Sequence, residues 1–517
     1  MSNPRMTRLS RIAVAAAFLF WGLLAGAAHY SFIDDLQWGV HVGVRWWLQG
    51  LLNTRYVGNF FAVLLCHSSL ARIVIMWLTM FLIPCLMALL AVRDGKGTSS
   101  PSFLPAFLLS NGAVLLMPCP IWREVYGWVS GFGNYAMSAL FFLLWLTALR
   151  HVEHTRSRPM LWAAILFVLT LAMGLFLENL TLLFFGASLI LALWAIRDPS
   201  LRAPFWACLA GAAAAVYFMF FNSMILQLLH EGAALGGRRG LTFTLHDGPL
   251  TILISVLWRY VGYLLPMAFC HGCHIALPLA VITGCAFWRS PLRKLWVLSL
   301  LPLGYGCYIW TGHSPNTLPA AFVSCLCWAV PFLALLLQTD GPRDKIGRIL
   351  LYLSAPLSLA PISAAGMLGE RFYFFPLILT ALVATDEAAP LLAMPRRAGQ
   401  LAAGALTLLL MIPWVWRGSH VLACNLLCWS LTNQARAEGG HALTLPADRY
   451  DNLWWYPRLP NSAEGAHNFA LRFKLADDLT LTVLPPGSFE TWPDIPQELW
   501  DRRQELHADE PFVSAMP

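Results

Sequence analysis

The sequence predicts an all-α polytopic membrane protein of about thirteen transmembrane helices, followed by a small C-terminal β-containing domain outside the membrane. Three observations carry that fold class. Apolar runs of about 17–25 residues recur between residues 12 and 416, each long enough to cross a bilayer. Hydrophobic residues fill 58% of the 517 positions and charged ones only 12%, with a mean hydropathy of +0.61, a balance foreign to soluble globular chains. After residue 416 the pattern changes: "HALTLPA" and "LRFKLADDLTLTVLPP" alternate apolar and polar residues in the period-two manner of half-buried strands.

Basic residues orient the spans, because Lys and Arg collect in cytoplasmic loops. Arg5, Arg8 and Arg11 precede the first run and place the N-terminus inside. Later clusters are Arg93/Lys96, Arg150/Arg156/Arg158, Arg197/Arg202, Arg289/Arg293/Lys294, Arg343/Lys345/Arg348 and Arg396/Arg397. With all of them inside, spans fit at about 12–30, 70–92, 102–118, 133–149, 160–177, 179–196, 204–222, 270–288, 296–311, 319–337, 347–365, 373–391 and 399–416. Residues 250–288 hold enough apolar sequence for two spans, but two would put Arg202 and Arg289 on opposite sides. The stretch 250–262 is therefore read as an amphipathic or re-entrant helix at the outer interface. Ala25-Gly26-Ala27 also resembles a signal-peptide cleavage site; with or without cleavage, the residues that follow face outside.

This topology makes 1–416 the transmembrane module and 417–517 an external domain. It leaves external loops around 31–69, 118–132, 223–269, 312–318 and 366–372. The net charge of +7 could suit nucleic acid, but the cations lie in short clusters between apolar runs, which is topology information, so no nucleic-acid partner is expected. The twelve Cys are scattered through apolar runs and spell no disulfide framework. Cys270 to His274 read "CHGCH", the C-x-x-C-H pattern of covalent haem attachment. No cytochrome-like domain surrounds it, and a chance match in a Cys-rich apolar chain is the plainer reading.

Polar chemistry gathers on the external side. Asp34 and Asp35 open the first loop, which continues through Arg55, Tyr56 and Asn59. The second loop supplies Glu124, Trp128, Asn134 and Tyr135. Glu178 stands at the edge of a span, where an acid is costly and normally has a partner or a function. His313 lies in "TGHSPNT" and Arg371 in "LGERFYF". Each has an ordinary alternative: Trp and Tyr anchor interfaces, an acidic pair at a loop end can simply be solvated, and Glu178 can serve a structural ion pair. Asn179-Leu180-Thr181 matches a glycosylation pattern but lies in a span.

An acidic pair opening a long external loop after one span resembles the GT-C superfamily of polytopic glycosyltransferases. The runs Trp128-x-Ser130-Gly131-x-x-Asn134-Tyr135 and Arg55-Tyr56-x-x-Asn59 are similar to those of a bacterial branch associated with surface polysaccharides. The resemblance covers roughly residues 10–415 and leaves the tail without a counterpart. It implies a bacterial inner-membrane transferase that moves a sugar from a polyprenyl phosphate or diphosphate to a glycan or lipid acceptor on the periplasmic side. Asp35, slightly favoured, or Asp34 would be the base. Arg371, Arg55 and His313 would bind the donor phosphate. Tyr56, Asn59, Glu124, Trp128, Asn134, Tyr135 and Glu178 would contact substrate. No cofactor is firmly expected, although Asp34, Asp35 and Glu178 could ligate a divalent ion. Two alternatives stay open. A transporter or flippase of a lipid-linked saccharide should place its polar residues near the bilayer midplane and often shows repeated halves. A polysaccharide polymerase or ligase should carry its key residues in large later loops.

Overall fold

A computed structural model describes every residue except 1–3, 32–33, 51–52, 93–99, 101, 222, 235–238, 242, 244–245, 271–272, 340, 366–368, 393–396, 451–452, 456–462, 492–503 and 508–517. The chain is 79% helical and is an all-α polytopic membrane protein. Among the described residues, ten helices are long and apolar enough to cross a bilayer, or up to eleven if Phe103–Leu115 and Cys119–Val125 form one broken span. Pro159–Gly174 and His274–Trp288 are shorter apolar helices at places where the sequence suggested spans.

Two differences from the sequence reading concern boundaries. The 250–262 segment belongs to a helical stretch, Pro249–Met267, that is itself long and apolar enough to cross a membrane. Its continuity passes through a π-helical turn at Tyr260–Leu264, an irregularity that hydropathy does not reveal. The last long helix, Arg397–Ala437, runs some twenty residues past the expected end near 416. Its polar continuation carries no Gly or Pro strong enough to stop it before Gly439 and Gly440, both in the left-handed region that favours glycine.

The chain divides into two compact units. The first comprises 1–15, 82–118 and 139–410. It is built around helices such as Pro159–Gly174, Glu178–Ala195 and Pro199–Phe220, and Cys273–Trp288 with Leu318–Leu336 and Phe374–Leu392. Several cations that mark the cytoplasmic side in the sequence have structural duties here. Arg150 donates to the carbonyls of Leu89, Leu90 and Val92, satisfying acceptors that a helix C-terminus leaves open. Glu387, fully buried in the Phe374–Leu392 helix, receives Arg289, Arg348 (2.6 Å) and Gln338 (2.6 Å), and Arg348 also donates to Gln338 Oε1 at 2.8 Å. A carboxylate buried in an apolar helix is tolerable only with such partners.

The second unit comprises 16–81, 119–138 and 411–517. The tail, from Met411 onward, is grouped within this unit. It clusters with the end of the first helix, the first loop and the second loop. Its sheet has three strands in the order Ala442–Ala447, Thr480–Pro486, Gln504–His507. The first two are parallel, pairing Ala442 with Thr480 and Leu445 with Val483, and the third is antiparallel to the second. Helix Ala463–Phe473 forms the crossover that a parallel pair requires. Leu481, Val483 and Leu484 are all buried, so the strand does not alternate as half-buried strands do. The stretch "LRFKLADD" is the end of that helix and a turn rather than strand.

Candidate functional site

The acidic pair sits where the first loop meets the start of the Val129–Thr155 helix, all within the second unit. Ser130 is the second residue of that helix, so its N–H has no intrahelical acceptor. It donates to Asp35 Oδ1 at 2.8 Å, while Ser31 N donates to Asp35 Oδ2 at 2.8 Å. Cys66 Sγ lies 3.9 Å from Asp35 Oδ1. Asp35 is 0% exposed. Burial pushes its carboxyl above the usual carboxylate range, and the hydrogen bonds from Ser31 and Ser130 pull part of the way back. Burial, with the nearby charges of Asp35 and Asp34, lifts the Cys66 thiol well above its ordinary value.

Asp34, the residue before it, occupies a different environment. Its Oδ1 accepts from Trp128 Nε1 at 2.8 Å and from Ser130 Oγ at 3.0 Å, and the residue is half-buried. Both carboxylates therefore face the N-terminal end of one helix, where exposed N–H groups and the helix dipole favour negative charge. Ser130 serves both, with its N–H on Asp35 and its hydroxyl on Asp34. Asp35, the slightly favoured base in the sequence, is enclosed with both oxygens engaged; Asp34 is the member that solvent can reach.

Glycines make the junction close enough. A Cβ on Gly131 would strike the Trp128 ring and the Glu124 carbonyl, and one on Gly133 would come within 2.8 Å of Ala62 N. The helix start thus lies directly on the backbone of the Tyr56–His67 helix. Asn134 donates to Ser130 O at 3.1 Å, and its own Oδ1 is buried with no hydrogen-bond partner among the described residues. Asn59 repeats the arrangement: its Nδ2 reaches Asn53 Oδ1 at 2.8 Å, which also accepts from Arg55 N, and its Oδ1 is likewise without a partner among them. Two orphaned amide oxygens in one unit are costly unless something donates to them.

The remaining candidates fall as follows. Tyr56 is half-buried and its carbonyl accepts from Trp47 Nε1 at 2.8 Å. Arg55 is half-buried, while Glu124 and Tyr135 are buried. Glu178, His313 and Arg371 belong to the first unit. His313 is exposed and stacks on Tyr308 at 4.1 Å, bonding that residue's carbonyl at 2.9 Å, which suits a self-contained loop residue. Arg371 stands over the Phe372 ring at 5.7 Å, and Glu178 begins its helix half-buried.

The tail covers the junction from its own side. Gly127 abuts Trp454 and Trp455, Gln37 donates to Glu464, and Arg472 Nε donates to Cys66 O at 2.8 Å. Sequence reasoning missed Arg472, and with it Arg72, whose place in the first turn of an apolar span was the available signal. Of the "CHGCH" run, His271 and Gly272 lie outside the described residues, and His274 is buried in a helix. Among the described residues no group of three or more His, Cys, Asp or Glu side chains is disposed to hold a metal. No protein-family model, curated protein or solved structure matches the chain.

Proposed function

We propose that the chain is an integral membrane glycosyltransferase that uses a sugar on a polyprenyl phosphate or diphosphate and works on the outer face of a bacterial inner membrane, with about thirteen spans and an external tail. The observation that carries the reading is the acidic pair held in two contrasting environments at one helix N-terminus. Adjacent carboxylates in contrasting surroundings take separate roles, one enclosed and structural, the other open to substrate. Asp34, half-exposed, takes the proton of the acceptor hydroxyl. The acceptor oxygen then bonds to the anomeric carbon as the bond from that carbon to the phosphate oxygen breaks, and the lipid phosphate leaves with the electron pair. Asp35 touches no substrate: it is a positioning residue that fixes Ser31 and Ser130, and through Ser130 the orientation of Asp34. Trp128, half-buried beside Asp34, offers its ring to the sugar. Asn59 and Asn134 offer amide oxygens for its hydroxyls, and Arg55, in the same unit, is the cation proposed for the donor phosphate.

The test is turnover of radiolabelled polyprenyl-phosphate sugars by the purified full-length protein in liposomes. Asp34→Asn should lower the rate by about 10²–10⁴ while leaving the melting profile unchanged, as expected for loss of a general base. Near wild-type turnover by a properly inserted Asp34→Asn protein would remove the chemical basis of the proposal.

A further inference from the structure

Close to the acidic pair, the second unit contains a cleft of about 110 Å³ lined in part by Tyr30, Arg72, Asn425, Trp429, Phe469 and Phe473. Arg72 is in its lining, and Arg472 meets it over Tyr30. Arg72, from the first turn of the Ser69–Ala91 helix, stands over the Tyr30 ring at 4.4 Å, and its Nε is buried with no hydrogen-bond partner among the described residues. Arg472, from the tail helix that also supplies Phe469 and Phe473, stands over the same ring at 5.3 Å and donates to the Tyr30 hydroxyl at 3.3 Å. Since both guanidiniums share one ring, they are no farther apart than roughly one Debye length of about 10 Å, too close for salt to screen their repulsion. Among the described residues neither has a carboxylate within ion-pair distance. The field of Asp35 reaches Arg72, yet its oxygens already serve Ser31, Ser130 and Cys66.

Two like charges and a buried, unsatisfied guanidinium nitrogen are expensive to hold together. An anion that accepts from both relieves both costs. Phosphate oxygens match the planar donor fork of Arg, and the tyrosine hydroxyl and Ser69, whose Oγ lies 3.3 Å from it, add neutral polar groups. The volume is of the order that admits a group of several heavy atoms. The aromatic walls from Trp429, Phe469 and Phe473 suit an anion attached to apolar matter as well as a free one.

We propose that Arg72 and Arg472, gathered on Tyr30, form a binding site for a phosphate-class anion, and that the C-terminal segment is present in this unit to supply one of its two cations. The ligand is either the phosphate of a lipid headgroup or a soluble phosphate or diphosphate. Anion binding is read without turnover, whereas the transferase reading is tested by turnover of Asp34→Asn, so the two fail separately.

The experiment measures binding of radiolabelled inorganic diphosphate to the full-length protein in neutral detergent by equilibrium dialysis. A second arm compares retention of phosphatidic acid with phosphatidylcholine by native mass spectrometry. Binding of diphosphate identifies a soluble-anion site, and retention of phosphatidic acid alone identifies a lipid-headgroup site. In either case Arg72→Gln and Arg472→Gln should each weaken binding at least tenfold, and Arg449→Gln, an exposed tail arginine outside the cleft, should not. If Arg472→Gln loses the wild-type melting profile, Arg472→Lys decides. It keeps the charge but not the fork, so binding should fall severalfold. Wild-type protein that binds neither probe, or binding unchanged in the arginine variants, overturns the proposal.

Discussion

Asp35 is fully enclosed and receives two backbone N–H donors, from Ser31 and Ser130, each at 2.8 Å. Replacing it with Ala removes both acceptors at once. A buried donor left unsatisfied costs about 1–3 kcal/mol, so the pair predicts a loss of about 2–6 kcal/mol before any cavity term. Asparagine is the sharper probe. Its single amide oxygen can accept from one of the two backbone groups, while its NH₂ faces the other. Asp35→Asn should therefore cost about 1–3 kcal/mol, a factor of about 5–150 in the unfolding equilibrium. Equilibrium unfolding of the full-length protein in mixed detergent micelles, read by tryptophan fluorescence, should rank wild type above Asp35→Asn above Asp35→Ala. Turnover in the proposed reaction should fall with Asp35→Asn as well, but less than with Asp34→Asn, because Ser130 keeps its hydroxyl on Asp34. If Asp35→Ala lies within about 0.5 kcal/mol of wild type, as surface substitutions do, the carboxylate is not the anchor that its hydrogen bonds suggest.

Three further outcomes follow from the same geometry. Because the folded Asp35 carboxyl titrates above its usual value, the folded state holds its proton more tightly than the unfolded state, and this contribution to stability is lost as pH rises from the ordinary carboxylate range through the raised value. The stability gap between wild type and Asp35→Asn should therefore narrow across that window as pH increases, and a gap that widens would contradict the sign. Gly133→Ala brings a Cβ within 2.8 Å of Ala62 N, a backbone atom that cannot swing away, and should destabilise by about 1–3 kcal/mol in thermal or denaturant unfolding. Glu387→Ala leaves the Arg289 and Arg348 guanidiniums without their buried counter-ion and should cost about 3–5 kcal/mol, whereas Asp247→Ala, an exposed loop acid, should be near neutral in the same assay.

The membrane character of the chain was legible because it rests on run length, and the helices Ser69–Ala91, Glu178–Ala195 and Leu318–Leu336 fall within a few residues of the apolar runs. What hydropathy did not show was how helices begin, break and continue. The Arg397–Ala437 helix goes on through the polar sequence "NQARA", because nothing there interrupts its hydrogen bonds. The tail strands were read from period-two alternation, which the burial of Thr480–Pro486 does not follow. Leu481, Val483 and Leu484 are buried together, and a strand paired in parallel and crossed by a helix reads as a continuous apolar run. Likewise, the arginines between the apolar runs were legible as charge. Their pairing to Glu387 was not, since the acids Asp386 and Glu387 within "LVATDEAAP" give no sign of which distant helices will reach them.

At the acidic pair, the residues were legible and their division of labour was not. Adjacent positions point in different directions, so sequence could say that only one of Asp34 and Asp35 would face a given atom, but not which. The decision lies in Ser130, a residue whose importance depends on where a helix starts. Only because that helix begins at Val129 does the Ser130 N–H lack an internal acceptor, and only then can it be donated to a carboxylate ninety-five positions earlier. Once Asp35 takes that bond and the one from Ser31, it is committed to holding the junction closed. Asp34 is left beside Trp128 and the Ser130 hydroxyl, half-exposed at the positive end of a helix dipole. The two carboxylates are therefore not redundant copies. One fixes the geometry that gives the other its surroundings.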